Sequence, residues 1–310
     1  MISWHAAPSD NRAVPTEPSS PPLPDASAAV PPTPLPVTHY ENFPVASWLC
    51  PPALRPPIAA IYAFARTADD LADEGDAPPA QRLETLRDYA HDLQAVAAGA
   101  PWSAQWPEVF APLAAAVATY RLPMPLLADL LSAFAQDVRT TAAAGHYADR
   151  VELLDYCRRS ANPVGRLLLH LYGVDDAQAL TQSDAICTAL QLINFWQDLS
   201  VDLPRGRYYV PQTDAAAHGL DARSLQRTGP SPATDALVDH LAQWARTSML
   251  AGAPLVHRLP GRAGWELRLV VQGGLRVLDK VEALRGGCMA QRPRIRAWDA
   301  PLLLARALAM

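Results

Sequence analysis

The stretch Arg66-Thr67-Ala68-Asp69-Asp70-Leu71-Ala72-Asp73 lies inside a helix that the sequence predicts over residues 56–75. Asp69 and Asp73 are four residues apart, so their carboxylates lie on one face of that helix. Two negative charges at this spacing repel each other, and water, a basic side chain or a cation has to offset the repulsion. Arg66 lies one turn earlier on a similar face.

A second copy of the pattern is Asn194-Phe195-Trp196-Gln197-Asp198-Leu199-Ser200-Val201-Asp202. Asn194, Asp198 and Asp202 form a row at spacings of four residues, and the preceding helix is strongly apolar. Acids close to a buried face need partners. Magnesium prefers hard oxygen ligands and is often shared between carboxylates and phosphate oxygens. Two facing aspartate pairs therefore predict a clamp for magnesium and a diphosphate, whereas either pair alone is more often a solvated helix face.

Helix signals dominate the rest of the chain, and alternation typical of strands is almost absent. The breaks between helices fall at glycine and proline, as helix ends require. The sequence predicts helices at 56–75, 79–98, 109–119, 124–142, 150–172, 178–202, 232–257, 261–286 and 299–309. The predicted fold class is an all-α, single-domain helical bundle.

Composition separates a tail from this bundle. Residues 1–36 hold ten of the 31 prolines, which predicts a disordered tail before a helical domain at 37–310. The net charge is −5 and no basic block marks a nucleic-acid face. Four cysteines without metal-ligand spacing favour a reducing cytoplasm. No signal peptide or transmembrane helix is expected, so any membrane contact is expected to be peripheral, at the inner face.

Around the two aspartate motifs the chain resembles the squalene/phytoene synthase family, from about His39 to the C-terminus. Two DxxxD motifs on facing helices are that family's hallmark. The residues that carry the resemblance outside the motifs are Tyr62, Arg66, Gln191, Asn194, the segment from Tyr156 to Gly165, and Arg205-Gly206-Arg207-Tyr208-Tyr209-Val210-Pro211. The resemblance implies an isoprenoid synthase-type bundle with a central cavity and a prenyl diphosphate substrate.

The resemblance also implies a role for each matching position. The expected Mg²⁺ ligands, and the catalytic residues that start ionisation, are Asp69, Asp73, Asp198 and Asp202, with Asn194 as an additional ligand. Arg66, Arg205 and Arg207 are expected to hold diphosphate oxygens. The other expected substrate-binding residues are His39, Phe43, Tyr62, Gln191 and Tyr208. Phe64, Phe195 and Trp196 are further aromatic candidates for contact with a carbocation.

Several segments, among them residues 39–45 and 269–276, are similar to the family's bacterial hopanoid-pathway branch. That branch converts presqualene diphosphate to hydroxysqualene, with water ending the carbocation. No nicotinamide fingerprint is present, so no nicotinamide cofactor is expected. Two alternatives stay open: a transferase that condenses two farnesyl diphosphates to presqualene diphosphate or squalene, and a non-catalytic helical scaffold. The sequence does not fix the oligomeric state.

Two departures bear on the fate of the carbocation. An aromatic residue of condensing relatives is replaced by Gly274, which is expected to open that end of the cavity. The acidic residue usual before the last aspartate of the second motif is Val201. Candidates for positioning the quenching water are Tyr208, Asn162 and Gln197.

Overall fold

The computed structural model describes residues 50–310. Helices form almost throughout this range, and no β-strand occurs within it beyond one isolated bridge between His146 and Tyr208. The all-α prediction is therefore confirmed. The predicted boundary between a tail at 1–36 and a domain at 37–310 lies outside the described residues and stays a prediction, and His39 and Phe43 lie outside them as well.

The thirteen helices within residues 50–310 are α1 (Arg55–Asp73), α2 (Pro79–Ala98), α3 (Pro107–Tyr120), α4 (Met124–Ala142), α5 (Arg150–Ser160), α6 (Asn162–Leu171), α7 (Ala177–Gln197), α8 (Leu199–Asp202), α9 (Gln212–Ala217), α10 (Leu225–Thr228), α11 (Pro232–Gly252), α12 (Arg262–Leu284) and α13 (Ala300–Ala309). Nine of them begin within a few residues of the predicted starts. The short helices α9 and α10 were not predicted, because segments of six and four residues carry no periodic apolar signal.

Three predicted helices differ from the structure for local reasons. The predicted helix 150–172 is divided at Ala161, because Pro163 has no N–H to continue the helical hydrogen bonds. The helix predicted over 178–202 is interrupted at Asp198, which leaves helical geometry at φ −100° and ψ 12°. The helix predicted to end at 257 ends at Gly252 and tightens into a 3₁₀ turn, where Pro254 follows.

Two hydrophobic clusters hold the bundle together. One lies among α1, α2, α3 and α4 and is centred on Phe64, Tyr89 and Phe110. The centroids of these three rings are 4.8–6.2 Å apart. The other is centred on α7, which packs against α6, α11 and α12 and contributes the fully buried Trp196. The space between the clusters is bordered by α1 on one side and by α7 on the other.

Candidate active site

Two adjoining cavities lie between α1 and α7, one apolar and one polar. On α1, Ile58, Tyr62 and Ala65 line the apolar cavity, and Asp69 and Asp73 line the polar cavity further along the same helix face. On α7, Ser183, Ile186 and Cys187 line the apolar cavity and Gln191 lines the polar one. Both helices therefore run from the apolar end to the polar end, and each ends at an aspartate motif.

The first motif is already paired with a base. The Arg66 guanidinium lies 3.4 Å from Asp69, 2.6 Å from Asp70 and 3.0 Å from Glu74. Side chains four residues apart on a helix meet in this way, as the sequence spacing predicted. Arg66 therefore offsets the negative charge at the end of α1, and Asp70 shares that arginine with Asp69.

The second motif pairs with an arginine from a distant part of the chain. Arg292, in the loop after α12, donates to a carboxylate oxygen of Asp198 at 2.9 Å. The side-chain amide of Gln197 holds that loop in place by donating to the Pro293 carbonyl at 2.6 Å. Burial raises the pKa of Asp198, while the charge of Arg292 opposes the rise.

Arg207 joins the two motifs. Its guanidinium forms an ion pair with Asp73 of the first motif and lies 3.8 Å from Asp202 of the second. The side chain of Asp202 is only 14% exposed. Burial raises its pKa to about 7, and the negative charge of Asp198 adds to the effect. The predicted facing of the two aspartate pairs is therefore present, with one guanidinium between them.

A fifth carboxylate, Asp137 of α4, lies close to both motifs. It accepts hydrogen bonds from the hydroxyls of Tyr156 and, at 3.4 Å, of Tyr209. Burial raises its pKa to about 7, although the Tyr156 hydrogen bond opposes the rise, and the charge of Asp69 raises it further. The Tyr209 ring stacks on the Phe195 ring with their centroids 4.0 Å apart, so two aromatic rings lie next to this carboxylate.

The carboxylate oxygens of the two motifs are the kind of ligand that a hard divalent cation prefers. Asp69, Asp73 and Asp137 line the polar cavity, and Arg207 links Asp73 to Asp202 of the second motif. Burial raises the pKa of Asp198 and Asp202, and a cation beside them would oppose that rise. Among residues 50–310, no three His, Cys, Asp or Glu side chains converge closely enough to hold a metal ion as they stand. The guanidiniums of Arg207 and Arg292 pair with the carboxylates instead, and both would have to move for a metal to bind there.

Of the other predicted residues, two line the cavities and three do not. Gln191 lines the polar cavity and Tyr62 the apolar one. Asn194 is half-buried on the same face of α7 as Gln191. Arg205 is exposed, yet its positive charge opposes the rise in pKa of Asp198 and Asp202. Tyr208 packs against the hydrophobic core, and it is its neighbour Tyr209 that lines the polar cavity.

Several sequence expectations need correction. Phe64 and Trp196 are fully buried in the two hydrophobic clusters rather than at the cavities. Gly274 does not open the cavity: a Cβ there would lie 2.8 Å from Met249 and 3.2 Å from Ile193, so the glycine lets α12 pack closely on α7 and α11. Asn162 accepts a hydrogen bond from Thr188 at 3.0 Å within the core.

No sequence pattern assigns a site role to Arg292 or to Tyr209. Arg292 lies 94 residues from Asp198 in the chain, and no local pattern connects them. Tyr209 differs from the predicted Tyr208 by one position, and only the backbone direction of the loop decides which ring faces the cavity. Asp137 is a candidate from the sequence, as a residue that supports metal or water, and it lines the polar cavity.

The fold and the site together define an all-α protein of the isoprenoid synthase type. The profile of the squalene/phytoene synthase family matches residues 37–299. The chain belongs to the squalene/phytoene synthase family. It is similar to squalene synthase HpnC from Alicyclobacillus acidocaldarius, with a TM-score of 0.69 and 34% identity, over 81% of this chain and 90% of that one.

Two proteins from Zymomonas mobilis give the most informative comparison. The chain is 38% identical to the hydroxysqualene synthase over 190 residues, which is 60% of this chain and 60% of the relative. It is 28% identical to the presqualene diphosphate synthase over 220 residues, which is 71% of this chain and 72% of that relative. The match to the hydroxysqualene synthase therefore spans less than two thirds of its length.

Proposed function

We propose that this chain converts presqualene diphosphate to hydroxysqualene in hopanoid and squalene biosynthesis. The observation that carries the proposal is the pair of facing aspartate motifs, joined by Arg207, at the polar end of an apolar cavity. Greater similarity to a hydroxysqualene synthase than to a presqualene diphosphate synthase of the same organism supports the choice of product.

The two cavities suit the two parts of such a substrate. Prenyl chains are hydrocarbon and fit the apolar cavity, whose lining includes Ile186, Leu255 and Val270. The diphosphate is then held at the polar cavity, where Arg66 and Arg207 carry planar guanidiniums suited to paired contacts with phosphate oxygens. A substrate in this pose has its leaving group at the aspartates and its reacting carbons inside the bundle.

Mg²⁺ is the cofactor that this site would take. Asp69, Asp73, Asp198 and Asp202 would hold it, with Asn194 as an additional ligand, and its charge would stabilise the departing diphosphate. The arginines that now pair with the carboxylates would contact phosphate oxygens instead. No nicotinamide cofactor is required, because a water-quenched product needs no reduction.

The reaction balances with water alone. The C–O bond to the diphosphate breaks with its electron pair on the leaving group, the cation rearranges, and water adds at carbon and loses a proton. We propose that the cluster of Asp137, Tyr156 and Tyr209 holds the quenching water and takes up that proton. The hydrogen bonds within this cluster and its position beside the aspartates support this assignment over the candidates Tyr208, Asn162 and Gln197.

A transferase that condenses two farnesyl diphosphates is the second candidate. The same aspartates and arginines would ionise farnesyl diphosphate, and the 28% identity to a presqualene diphosphate synthase favours keeping it under test. A non-catalytic scaffold is disfavoured, because all four aspartates are present. Two of them, Asp198 and Asp202, are partly buried carboxylates whose pKa is raised by that burial.

The deciding experiment is a paired assay. Purified chain with Mg²⁺ is given presqualene diphosphate or farnesyl diphosphate in ¹⁸O-labelled water without nicotinamide, and the products are analysed by mass. We expect hydroxysqualene carrying one ¹⁸O from the first substrate only. Asp198→Asn should abolish turnover, whereas Asp184→Asn, on the same helix but paired with Arg166, should not. Presqualene diphosphate formed from farnesyl diphosphate would establish the second candidate.

We also propose that the chain works in the cytoplasm, at the inner face of the membrane. All four cysteines are free and buried, which suits a reducing compartment. The substrate and product implied above are insoluble in water, so a peripheral contact with the bilayer is needed for their exchange.

A further inference from the structure

The C-terminal helix α13 has one face that packs on the protein and one that does not. Arg306 forms an ion pair with Asp279 of α12 at 2.8 Å, and Ala307 is 2% exposed, so this side faces inward. Pro301, Leu304, Ala305 and Leu308 follow at helical spacing on the opposite side, and all four are exposed. An amphipathic surface helix normally shows the reverse, with its polar face to solvent.

Aromatic and aliphatic side chains extend this exposed face at both ends. Trp298, just before α13, is 67% exposed, and Ile295 is 40% exposed. Trp265 of α12 is 43% exposed. Arg268 places it near the C-terminal end of α13, since this arginine contacts both the Trp265 ring and, at 3.3 Å, the Ala307 carbonyl.

We call this set the C-terminal apolar surface. Its members are Trp265, Ile295, Trp298, Leu302, Leu304 and Leu308. The six exposed side chains come from α12, from α13 and from the loop between them. Single exposed hydrophobic residues are unremarkable, but six on two packed helices and their connection are unusual.

Arginines surround the C-terminal apolar surface. Arg296 stacks over Trp298 at 4.9 Å and Arg268 stacks over Trp265 at 4.7 Å, so a cation accompanies the tryptophan at each end. Of the four arginines in the last twenty residues, Arg292 and Arg306 pair with Asp198 and Asp279, whereas Arg294 and Arg296 are exposed. The same segment contains one aspartate. That aspartate, Asp299, has a buried side chain that is turned inward to Arg276 and Lys280. The charge facing outward here is therefore positive.

We propose that the C-terminal apolar surface docks on an anionic lipid bilayer, with α13 lying in the plane of the membrane. Leucines between tryptophans suit the boundary between headgroups and acyl chains, and arginines at the rim suit acidic headgroups. No helix within the described chain is long and apolar enough to cross a bilayer, so docking is peripheral. A second copy of the chain is a poorer occupant, because two-fold pairing would bring like-charged arginine rims together.

The proposal deepens the proposed function, since it supplies the membrane contact that a lipid-borne substrate needs. Docking itself is tested without substrate. The full chain is floated with vesicles of phosphatidylcholine, alone or with about a third phosphatidylglycerol. We expect binding to the anionic vesicles that weakens with added salt, because screening reduces the arginine contribution.

The variant Leu304→Gln/Leu308→Gln should bind at least about tenfold more weakly, because it removes two side chains from the bilayer contact. Trp298→Ala is a second variant at the other end of the surface. The matched control is Val151→Gln/Leu154→Gln, which removes two exposed apolar side chains of α5. All replaced side chains are exposed, so each variant should keep its melting temperature and its turnover of detergent-dispersed substrate.

Three outcomes would overturn the proposal. They are absence of flotation by the folded wild-type chain, equal flotation by the Leu304→Gln/Leu308→Gln variant, and a wild-type dimer in sedimentation that this variant dissociates. A wild-type chain that floats as expected but does not consume presqualene diphosphate would contradict the proposed function and leave docking intact.

Discussion

The Arg292 guanidinium donates to Asp198 at 2.9 Å across 94 residues of chain. This contact ties the loop after α12 to the aspartate at which α7 ends. The C-terminal part of the chain therefore contributes a charge to a site whose other members come from α1, α4, α5, α7, α8 and the loop before α9. Loss of that charge should weaken binding of the proposed diphosphate substrate and leave the stability of the fold nearly unchanged.

Arg292→Gln should lower kcat/KM for the diphosphate substrate by at least about tenfold, because a charge-assisted contact to phosphate contributes about 1.5–3 kcal/mol. Arg292 is 40% exposed, so the melting temperature should stay within a few degrees of wild type. Arg258→Gln, which breaks a surface ion pair with Asp176, is the matched control and should leave kcat/KM unchanged. Equal losses in the two variants would contradict a local role for Arg292.

Arg207→Gln should make the chain more responsive to Mg²⁺. Without the guanidinium, Asp73 and Asp202 repel each other, and the metal-free protein should melt at a lower temperature. The metal then meets no competing cation, so the rise in melting temperature on adding Mg²⁺ should exceed that of wild type. Thermal scans with and without Mg²⁺ measure this, and a smaller rise in the variant would be evidence against metal binding between the motifs.

The metal-free chain should lose stability as the pH rises from about 4 to about 8. The pKa values of Asp137 and Asp202 are near 3.8 when unfolded and about 7 when folded. Within that window the folded state binds more protons than the unfolded state, so raising the pH favours unfolding. Denaturant titrations at pH 5.5 and 8 should show the difference, and Asp137→Asn should reduce it. A slope of opposite sign would show that these carboxylates are already well compensated.

Tyr209→Phe should change which product forms more than how fast substrate disappears. The variant keeps the stacked ring on Phe195 but loses the hydroxyl that donates to Asp137. If this cluster holds the quenching water, elimination products should rise relative to hydroxysqualene while diphosphate release falls less than about tenfold. Mass analysis of the products and a phosphate assay separate the two effects. Tyr208→Phe, one residue away, should leave the product ratio as in wild type.

Asp299→Asn should destabilise the fold by about 3 kcal/mol, because it leaves Arg276 and Lys280 without their shared carboxylate in a buried position. Asp155→Asn, whose side chain is 53% exposed and paired with Arg158 and Arg159, should cost less than about 0.5 kcal/mol. Urea unfolding of both variants provides the comparison. A small effect at Asp299 would mean that water reaches the two cations once the carboxylate is gone.

Local chemistry accounts for what was predictable here. Helix ends at proline and glycine, and the pairing of Arg66 with Asp69, follow from residues a few positions apart, so the sequence indicated them. The Arg292 contact with Asp198 depends on how α12 packs, which no local pattern contains. Gly274 shows the same limit: a missing side chain permits either a void or a close approach, and only the neighbouring Met249 decides between them.

Both aspartate motifs lie where a helix ends: α1 stops at Asp73 and α7 stops just before Asp198. The last carbonyls of a helix carry a partial negative charge, so carboxylates there meet an unfavourable macrodipole. The two motifs meet at Arg207, so the two helix ends together place a negative potential around that guanidinium. Arg66, Arg207 and Arg292 offset that potential in the structure. In the proposed reaction, the same potential would also stabilise a positive charge that develops on carbon beside the departing diphosphate.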